Sequence, residues 1–186
     1  MAAAAKKETS TEQLKRDHVT VRRIRDVAQR CSDRLYAGDK IPLEDIQVIS
    51  VVIEEFVDAF HHGKEEKAYF PANEGKSDVH AEEIRMFKIE HEFGRRVARM
   101  MQRNLQAWKD GAADGREPVA RFLRTYAIYV TDHTGKEDRF FDMSAEMLSG
   151  EEDDEILRHY MACKSDVGGE ARVQELYRLL EYLEGR

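Results

Sequence analysis

The segment His61-His62-Gly63-Lys64-Glu65-Glu66 recurs 72 residues later as His133-Thr134-Gly135-Lys136-Glu137-Asp138. Each copy starts with a histidine and places a glutamate four residues further on. Residues four apart lie on one face of a helix, so each copy can offer an imidazole and a carboxylate to the same metal ion. The shared interior Gly-Lys-Glu favours an internal repeat over a chance match.

A single histidine precedes each copy at a similar distance. His18 lies 43 residues before His61, and His91 lies 42 residues before His133. Each of these two lone histidines directly follows an acidic residue. The repeat therefore predicts a bundle with approximate two-fold symmetry, in which each half supplies one lone histidine and one His-x-x-x-Glu pair.

Apolar residues recur every three or four positions in four long segments, and no segment alternates as a strand would. Gly38, Pro42 and Pro118 mark helix ends and starts, and a turn is expected from Pro71 to Lys76. We predict an all-α fold, an antiparallel up-down-up-down four-helix bundle with one or two extra C-terminal helices. The expected parts are a disordered N-terminus (1–10), the bundle (11–143) and a helical extension packed on the bundle (144–186).

The depth of the histidines in this bundle is an independent test of a shared site. His18 and His61 each lie about 19 residues from the loop joining their helices, which is roughly 28 Å at about 1.5 Å per residue. His91 and His133 lie about 18 and 15 residues from theirs, within the uncertainty of helix ends. The four imidazoles are therefore expected to converge at one level.

The repeat and the depth together predict a metal site of six side chains. Carboxylate and histidine side chains on facing helices of a bundle hold pairs of iron or manganese ions. The predicted ligands are His18, His61, Glu65, His91, His133 and Glu137. Asp138 is an alternative to Glu137, because a step of five residues can also reach the metal.

The remaining histidines and two tyrosines are interpreted as non-ligands. His62 is assigned to a solvated face, because its helical stripe passes through Glu55, Asp58 and Glu66. Two further histidines, His80 and His159, are expected at the surface. Tyr126 and Tyr129 are interpreted as core aromatics, with a hydrogen bond to the site or a phenolate ligand as the alternative.

Composition limits the classes of partner. The chain has 30 Lys and Arg against 37 Asp and Glu, a net charge of −7, and no basic block, which argues against nucleic-acid binding. It has no signal-peptide core and no long apolar run, so no membrane partner is expected. Two cysteines favour a reduced, cytoplasmic compartment. The expected oligomeric state is a monomer or a homodimer.

The motifs resemble those of the hemerythrin-like family, the cation-binding HHE domains. The resemblance covers about residues 14–143. It is carried by Asp17-His18, Phe60 to Glu66 with Phe70-Pro71, Glu90 to Arg96, and His133 to Asp138. It implies a four-helix bundle around two iron ions bridged by carboxylates and an oxygen, an Fe–O–Fe centre, with iron favoured over manganese or zinc.

The resemblance also implies a class of function. Family members include oxygen carriers and sensors, iron-responsive proteins, and proteins with catalase-like or nitric-oxide-handling activity. Oxygen carriers have a further histidine where this chain has Phe87. Four imidazoles then leave about two coordination positions open, which favours turnover of peroxide over storage of oxygen. We expect a protein that binds dioxygen, peroxide or nitric oxide in a redox, sensing or detoxifying role, with an iron-responsive regulatory module as the alternative.

Overall fold

The computed structural model describes residues 7–186, and these residues form helices and connecting turns without a strand. The predicted all-α class is therefore confirmed. Residues 1–6 of the N-terminus predicted to be disordered lie outside the described residues. The helical elements are α1 (Ser10–Ala37), α2 (Leu43–Val52), two π-helical segments (Ile53–His62 and Glu65–Tyr69), α3 (Phe70–Glu74), α4 (Asp78–Lys109), α5 (Arg116–Ala145), α6 (Gly150–Asp166) and α7 (Gly169–Glu184).

Helix α1 begins and ends where its sequence predicts. The Thr9 hydroxyl accepts a hydrogen bond from the backbone N–H of Glu12, whose carboxylate accepts one from the Thr9 N–H in return. This reciprocal arrangement satisfies two of the donors that a helix start leaves unpaired. At the other end Gly38 adopts a φ of 90°, a left-handed conformation that glycine takes without a steric cost.

The prediction of a turn from Pro71 to Lys76 is wrong for residues 71–74, which are helical. Residues 43–74 form one continuous helical run, and Pro71 lies in the first turn of α3. The wide π-helical turn before it explains this, because the Phe70 N–H bonds the Glu65 carbonyl five residues back. Pro71 follows this change of register directly, at a position where its fixed φ suits the start of a helical turn.

The core consists of two apolar clusters stacked along the bundle. The larger cluster includes Val21, Phe56, Val97 and Val130, and α7 adds Leu180 to it. The smaller cluster is aromatic and lies at the other end of the helices; its members include Tyr69, Phe70, Phe87, Phe140 and Phe141, with Ile156 and Tyr160 from α6. On each long helix, the predicted ligands fall between residues of the two clusters.

Helices α1 and α4 both pack along α5, and the 43–74 run packs against α1 and α4. This arrangement places all four long segments around one polar level between the apolar clusters. No helix within residues 7–186 has the length and apolar character required to cross a membrane.

Candidate metal centre

A first group of side chains, His18, His61, Glu65 and Glu137, lies at this level. Each is at most 1% exposed, and one potential ligand atom from each lies within 4.8 Å of the others. They come from α1, the two π-helical segments and α5. The structure thus brings together four of the six side chains predicted as ligands.

A second group combines His91 of α4 and His133 of α5 with His62. The assignment of His62 to a solvated face is wrong, because its side chain is only 4% exposed. Its ring stacks on that of His91 with 3.8 Å between centroids. The second group therefore contains a histidine that the sequence interpretation excluded.

The π-helical segment Ile53–His62 explains why two consecutive histidines both face inward. Its hydrogen bonds span five residues, as in the bond from the Gly63 N–H to the Asp58 carbonyl. Such wider turns shift the register of the following residues relative to an α-helix, and they occur often at functional sites. The interpretation of His62 assumed α-helical spacing throughout. Two sequence features pointed the other way: the open coordination positions left by Phe87 and the carboxylate of Asp58 four residues before His62.

The two buried glutamates connect the groups. Glu65 places Oε1 3.3 Å from His61 Nε2 and Oε2 3.5 Å from His91 Nε2. Glu137 places Oε2 3.3 Å from His18 Nε2 and Oε1 3.3 Å from His91 Nε2. Glu137 Oε2 also lies 3.1 Å from His133 Nε2. Each carboxylate therefore contacts imidazoles of both groups and lies between them.

All five histidines have a carboxylate next to Nδ1. The partners are Asp138 of His18 at 2.7 Å, Asp17 of His61 at 3.7 Å, Asp58 of His62 at 3.4 Å, Glu66 of His91 at 2.6 Å and Glu90 of His133 at 2.8 Å. In metal sites, such outer carboxylates fix the ring orientation and leave Nε2 for the ion. Of these five carboxylates, the sequence interpretation assigned Asp58 and Glu66 to a solvated face and considered Asp138 as an alternative ligand.

This arrangement separates Asp138 from Glu137. The Asp138 carboxylate lies on His18 Nδ1 and also contacts Arg22, on the outer side of the imidazole. The Glu137 side chain is fully buried between the two groups. Of the two alternatives, Glu137 therefore lies between the two groups, whereas Asp138 lies on the outer side of His18.

Burial and neighbouring charges shift the pKa values of the site in opposite directions. Burial lowers the pKa of His61 to about 4 and that of His62 well below its ordinary value, so both imidazoles are neutral at pH 7. At His133, by contrast, the Glu137 carboxylate outweighs burial and raises the pKa to about 9. Burial together with the nearby Glu137 carboxylate raises the pKa of Glu65 well above its ordinary value. Ionisation of this buried glutamate costs free energy in the metal-free chain, and a bound cation would favour the ionised form.

Unsatisfied polar atoms show that these residues fit a metal. Within residues 7–186, buried atoms without a hydrogen-bond partner include both carboxylate oxygens of Glu65, Oε2 of Glu137, and Nε2 of His18 and His133. Buried polar atoms are normally paired, and exceptions require an explanation. Two cations between the glutamates would satisfy all of these atoms, and imidazole and carboxylate donors suit iron, manganese or zinc.

The remaining residues considered in the sequence do not belong to either group. His80 is 6% exposed, so its expected surface position is wrong; Ser77 and the Phe140 ring enclose it at the start of α4. His159 is exposed, as predicted. Tyr129 is a core aromatic that stacks on the His133 ring at 5.1 Å, and its hydroxyl has no hydrogen-bond partner among the described residues.

A buried ion pair supports the first group from outside. Lys64 Nζ lies 2.7 Å from Asp17 Oδ2, with side-chain exposures of 3% and 2%, and Asp17 also faces His61. Burial lowers the pKa of Lys64, and the Asp17 carboxylate opposes this effect. The ammonium also lies 3.9 Å from the centroid of the Phe60 ring. The interior Lys of the first repeat copy thus has a structural role.

We expect Lys64→Met to lower the free energy of unfolding of the metal-free chain by about 3–5 kcal/mol, because it leaves the Asp17 carboxylate buried without its cation. Urea denaturation measures this change. The double variant Lys64→Met/Asp17→Asn should recover part of the loss. Lys67→Met is the matched control, since its ion pair with Asp166 is exposed and should contribute less than about 1 kcal/mol. Equal losses in both single variants would contradict the prediction.

The comparisons with known proteins agree with this geometry. Residues 9–144 match the model of the hemerythrin HHE cation-binding domain. The match includes every residue of both groups and ends within the last turn of α5. No curated protein and no solved structure matched the chain. Since the family match extends over most of the sequence, the chain belongs to the hemerythrin HHE cation-binding domain family.

Proposed function

We propose that this protein holds two iron ions between Glu65 and Glu137 and binds dioxygen, peroxide or nitric oxide there. The observation that carries the proposal is the set of five buried imidazoles, each with an outer carboxylate at Nδ1, around two glutamates that both reach the two groups. When bound, such a pair of ions supplies redox chemistry toward small oxidants. The protein residues fix the ions and control what reaches them.

The inclusion of His62 lowers the expected number of open positions from about two to about one, so coordination alone no longer favours peroxide turnover over oxygen storage. Two six-coordinate ions need about twelve donor atoms. Five imidazoles and two glutamates would offer about nine, and the oxygen bridge that the family resemblance implies would fill two more, which would leave about one open. The group with His18 and His61 has one imidazole fewer than the other. We therefore place the open position on the His18–His61 side.

The surroundings suit small uncharged molecules. The Phe141 ring lies 5.2 Å from that of His18, the Phe70 ring 5.9 Å from that of His91, and the Phe87 ring 6.0 Å from that of His133. An apolar shell limits solvent access and lowers the local dielectric constant around a metal site. Dioxygen, nitric oxide and hydrogen peroxide are small and uncharged, so they fit this environment better than large or charged substrates.

The proposal includes the antiparallel up-down-up-down order of the four long helical segments. Short connections between successive segments, 38–42, 75–77 and 110–115, support this order. It brings ligands from all four segments to one level. The proposed physiological ligand is thus a small oxidant, and nucleic acid and membrane have no part in it.

Hydrogen peroxide added to the iron-loaded protein tests the catalytic form of this function. We expect oxygen evolution at least about tenfold faster than for His61→Ala/His133→Ala loaded under the same conditions. An oxygen electrode measures the rate, and metal analysis gives the iron content of each sample. The matched control His159→Ala changes an exposed histidine and should retain the full rate.

Spectra of the iron-loaded protein test the binding itself. The reduced form is exposed separately to dioxygen, nitric oxide and peroxide while its visible absorption is recorded. A spectral change with at least one of these, absent from His61→Ala/His133→Ala, is the expected result. An iron-loaded protein whose spectrum responds to none of them would overturn the proposal and favour the iron-responsive module, in which the metal is structural.

A further inference from the structure

The outward face of α4 carries a line of exposed apolar side chains. Val79, Met86, Phe93 and Met100 are seven residues apart, and their exposed fractions are 62%, 42%, 48% and 40%. Ile89, 50% exposed, lies between Met86 and Phe93. We refer to these five residues as the α4 stripe. Single exposed apolar residues are ordinary on a protein surface, but a continuous line along one helix is typical of an interaction surface.

The spacing of the α4 stripe indicates the shape of its partner. The seam of a coiled coil has two apolar positions in every seven; in α4 the first is apolar from Val79 to Met100, and the second is apolar only at Ile89. From Val79 to Met100 the stripe extends over about 32 Å, at about 1.5 Å per residue. The buried face of α4, with Ile84, His91 and Val97, already packs within the chain. The stripe is therefore free to pack against another helix.

The charges beside the α4 stripe indicate which helix packs against it and in which direction. The start of α4 exposes Asp78 and Glu82 together with Arg85, which forms an ion pair with Glu82. The end of α4 exposes only basic charge, from Arg96, Arg99 and Arg103. A second copy of α4 in the same direction would set arginine beside arginine. A copy in the opposite direction sets the acidic end of each helix beside the basic end of the other, which is electrostatically complementary.

We propose that the α4 stripe binds the α4 stripe of a second copy of this chain, antiparallel about a two-fold axis near residue 91. In this register Phe93 of one copy meets Ile89 of the other, and this contact occurs twice around the axis. Met86 packs along the aliphatic stem of Arg96, which can cover apolar surface while its guanidinium stays in water. The proposal stands on the surface of α4 alone and does not depend on the metal.

The α4 stripe is connected to the candidate metal centre through one aromatic contact. The Phe93 ring lies 5.7 Å from the Tyr129 ring, which stacks on His133. Gly94 permits this packing, because a Cβ at that position would lie 2.5 Å from Tyr129 Cε1. Pairing of two chains would therefore cover the Phe93 ring, which packs on Tyr129 beside the second group.

Sedimentation of the full chain over about 1–200 µM tests the pairing, with and without iron. We expect a dimer of twice the chain mass of 21.6 kDa. Ile89→Glu places two carboxylates at the centre of the apolar contact and should weaken dimerisation by at least about a hundredfold. The matched control is Val19→Glu, because Val19 is 58% exposed on α1 and lies outside the stripe. A monomer at every concentration, or equal weakening by both variants, would overturn the proposal.

Disulfide cross-linking tests the direction of the two helices. In the proposed register Val79 of one copy lies opposite Arg103 of the other, although the two positions are about 36 Å apart along one helix. A mixture of Val79→Cys and Arg103→Cys chains should form cross-linked dimers on oxidation, and neither variant should do so alone. Cross-linking of each variant with itself but not with the other would show parallel packing and overturn the antiparallel arrangement.

Discussion

Replacement of Glu65 by glutamine is expected to weaken iron binding by at least about a hundredfold and to raise the melting temperature of the metal-free chain by a few degrees. Affinity falls because the amide supplies no charge and cannot bridge two cations through equivalent oxygens. The metal-free chain gains because the carboxylate is fully buried, and both of its oxygens lack hydrogen-bond partners. Iron titration and thermal unfolding of the metal-free and iron-loaded forms measure the two effects.

The pH dependence of the melting temperature identifies why the metal-free Glu65→Gln chain is more stable than the native chain. Because burial and Glu137 raise the pKa of Glu65 in the folded chain, the cost of its charge is greatest above that raised pKa. The cost disappears as the pH falls toward the unfolded value, so the advantage of Glu65→Gln should shrink on acidification. Glu74→Gln is the control, since Glu74 is exposed in the same helical run. A Glu65→Gln chain that melts lower than the native chain at every pH would contradict this account.

Helix ends and ligand depth could be predicted from the sequence because both depend on local chemistry and simple geometry. To predict that α1 ends at Gly38, it was enough to know that glycine tolerates a positive φ, and α1 does end there. To predict that His18 and His61 converge, it was enough to know the rise per residue and the position of the connecting loop. The structure brings the six predicted side chains together; their role as ligands remains a prediction.

The position of His62 could not be predicted in this way. Apolar spacing assumes α-helical turns, and nothing in the local residues around Phe56 and Phe60 marks the change to wider π-helical turns. The packing of the 43–74 run against its neighbours decides that register. The burial of His80 likewise depends on contacts with Ser77 and Phe140, and the Phe140 contact joins residues far apart in sequence. Tertiary contacts, rather than composition, determine which histidines face the core.

Replacement of His62 by alanine is therefore expected to lower the iron content from about two ions per chain to about one. The second group would keep only His91 and His133, and the ion there would lose one of three imidazoles. Metal analysis after gel filtration against a weak chelator measures the ratio. His80→Ala is a strict control, because His80 is also buried but lies outside both groups. Two ions per chain in His62→Ala, bound as tightly as in the native protein, would exclude His62 as a ligand.

The additional substitution Phe87→His should restore the iron ion that His62→Ala removes. Phe87 lies one helical turn before His91 on the same face of α4, and its ring is 6.0 Å from that of His133. A histidine at this position can replace the imidazole lost from position 62, so His62→Ala/Phe87→His should recover about two ions per chain. His62→Ala/Ile84→His is the matched control, because Ile84 is also buried on α4 but lies about one turn further from the second group. Recovery only at position 87 would show that an imidazole on α4 can replace that of His62. No recovery at either position would contradict this prediction.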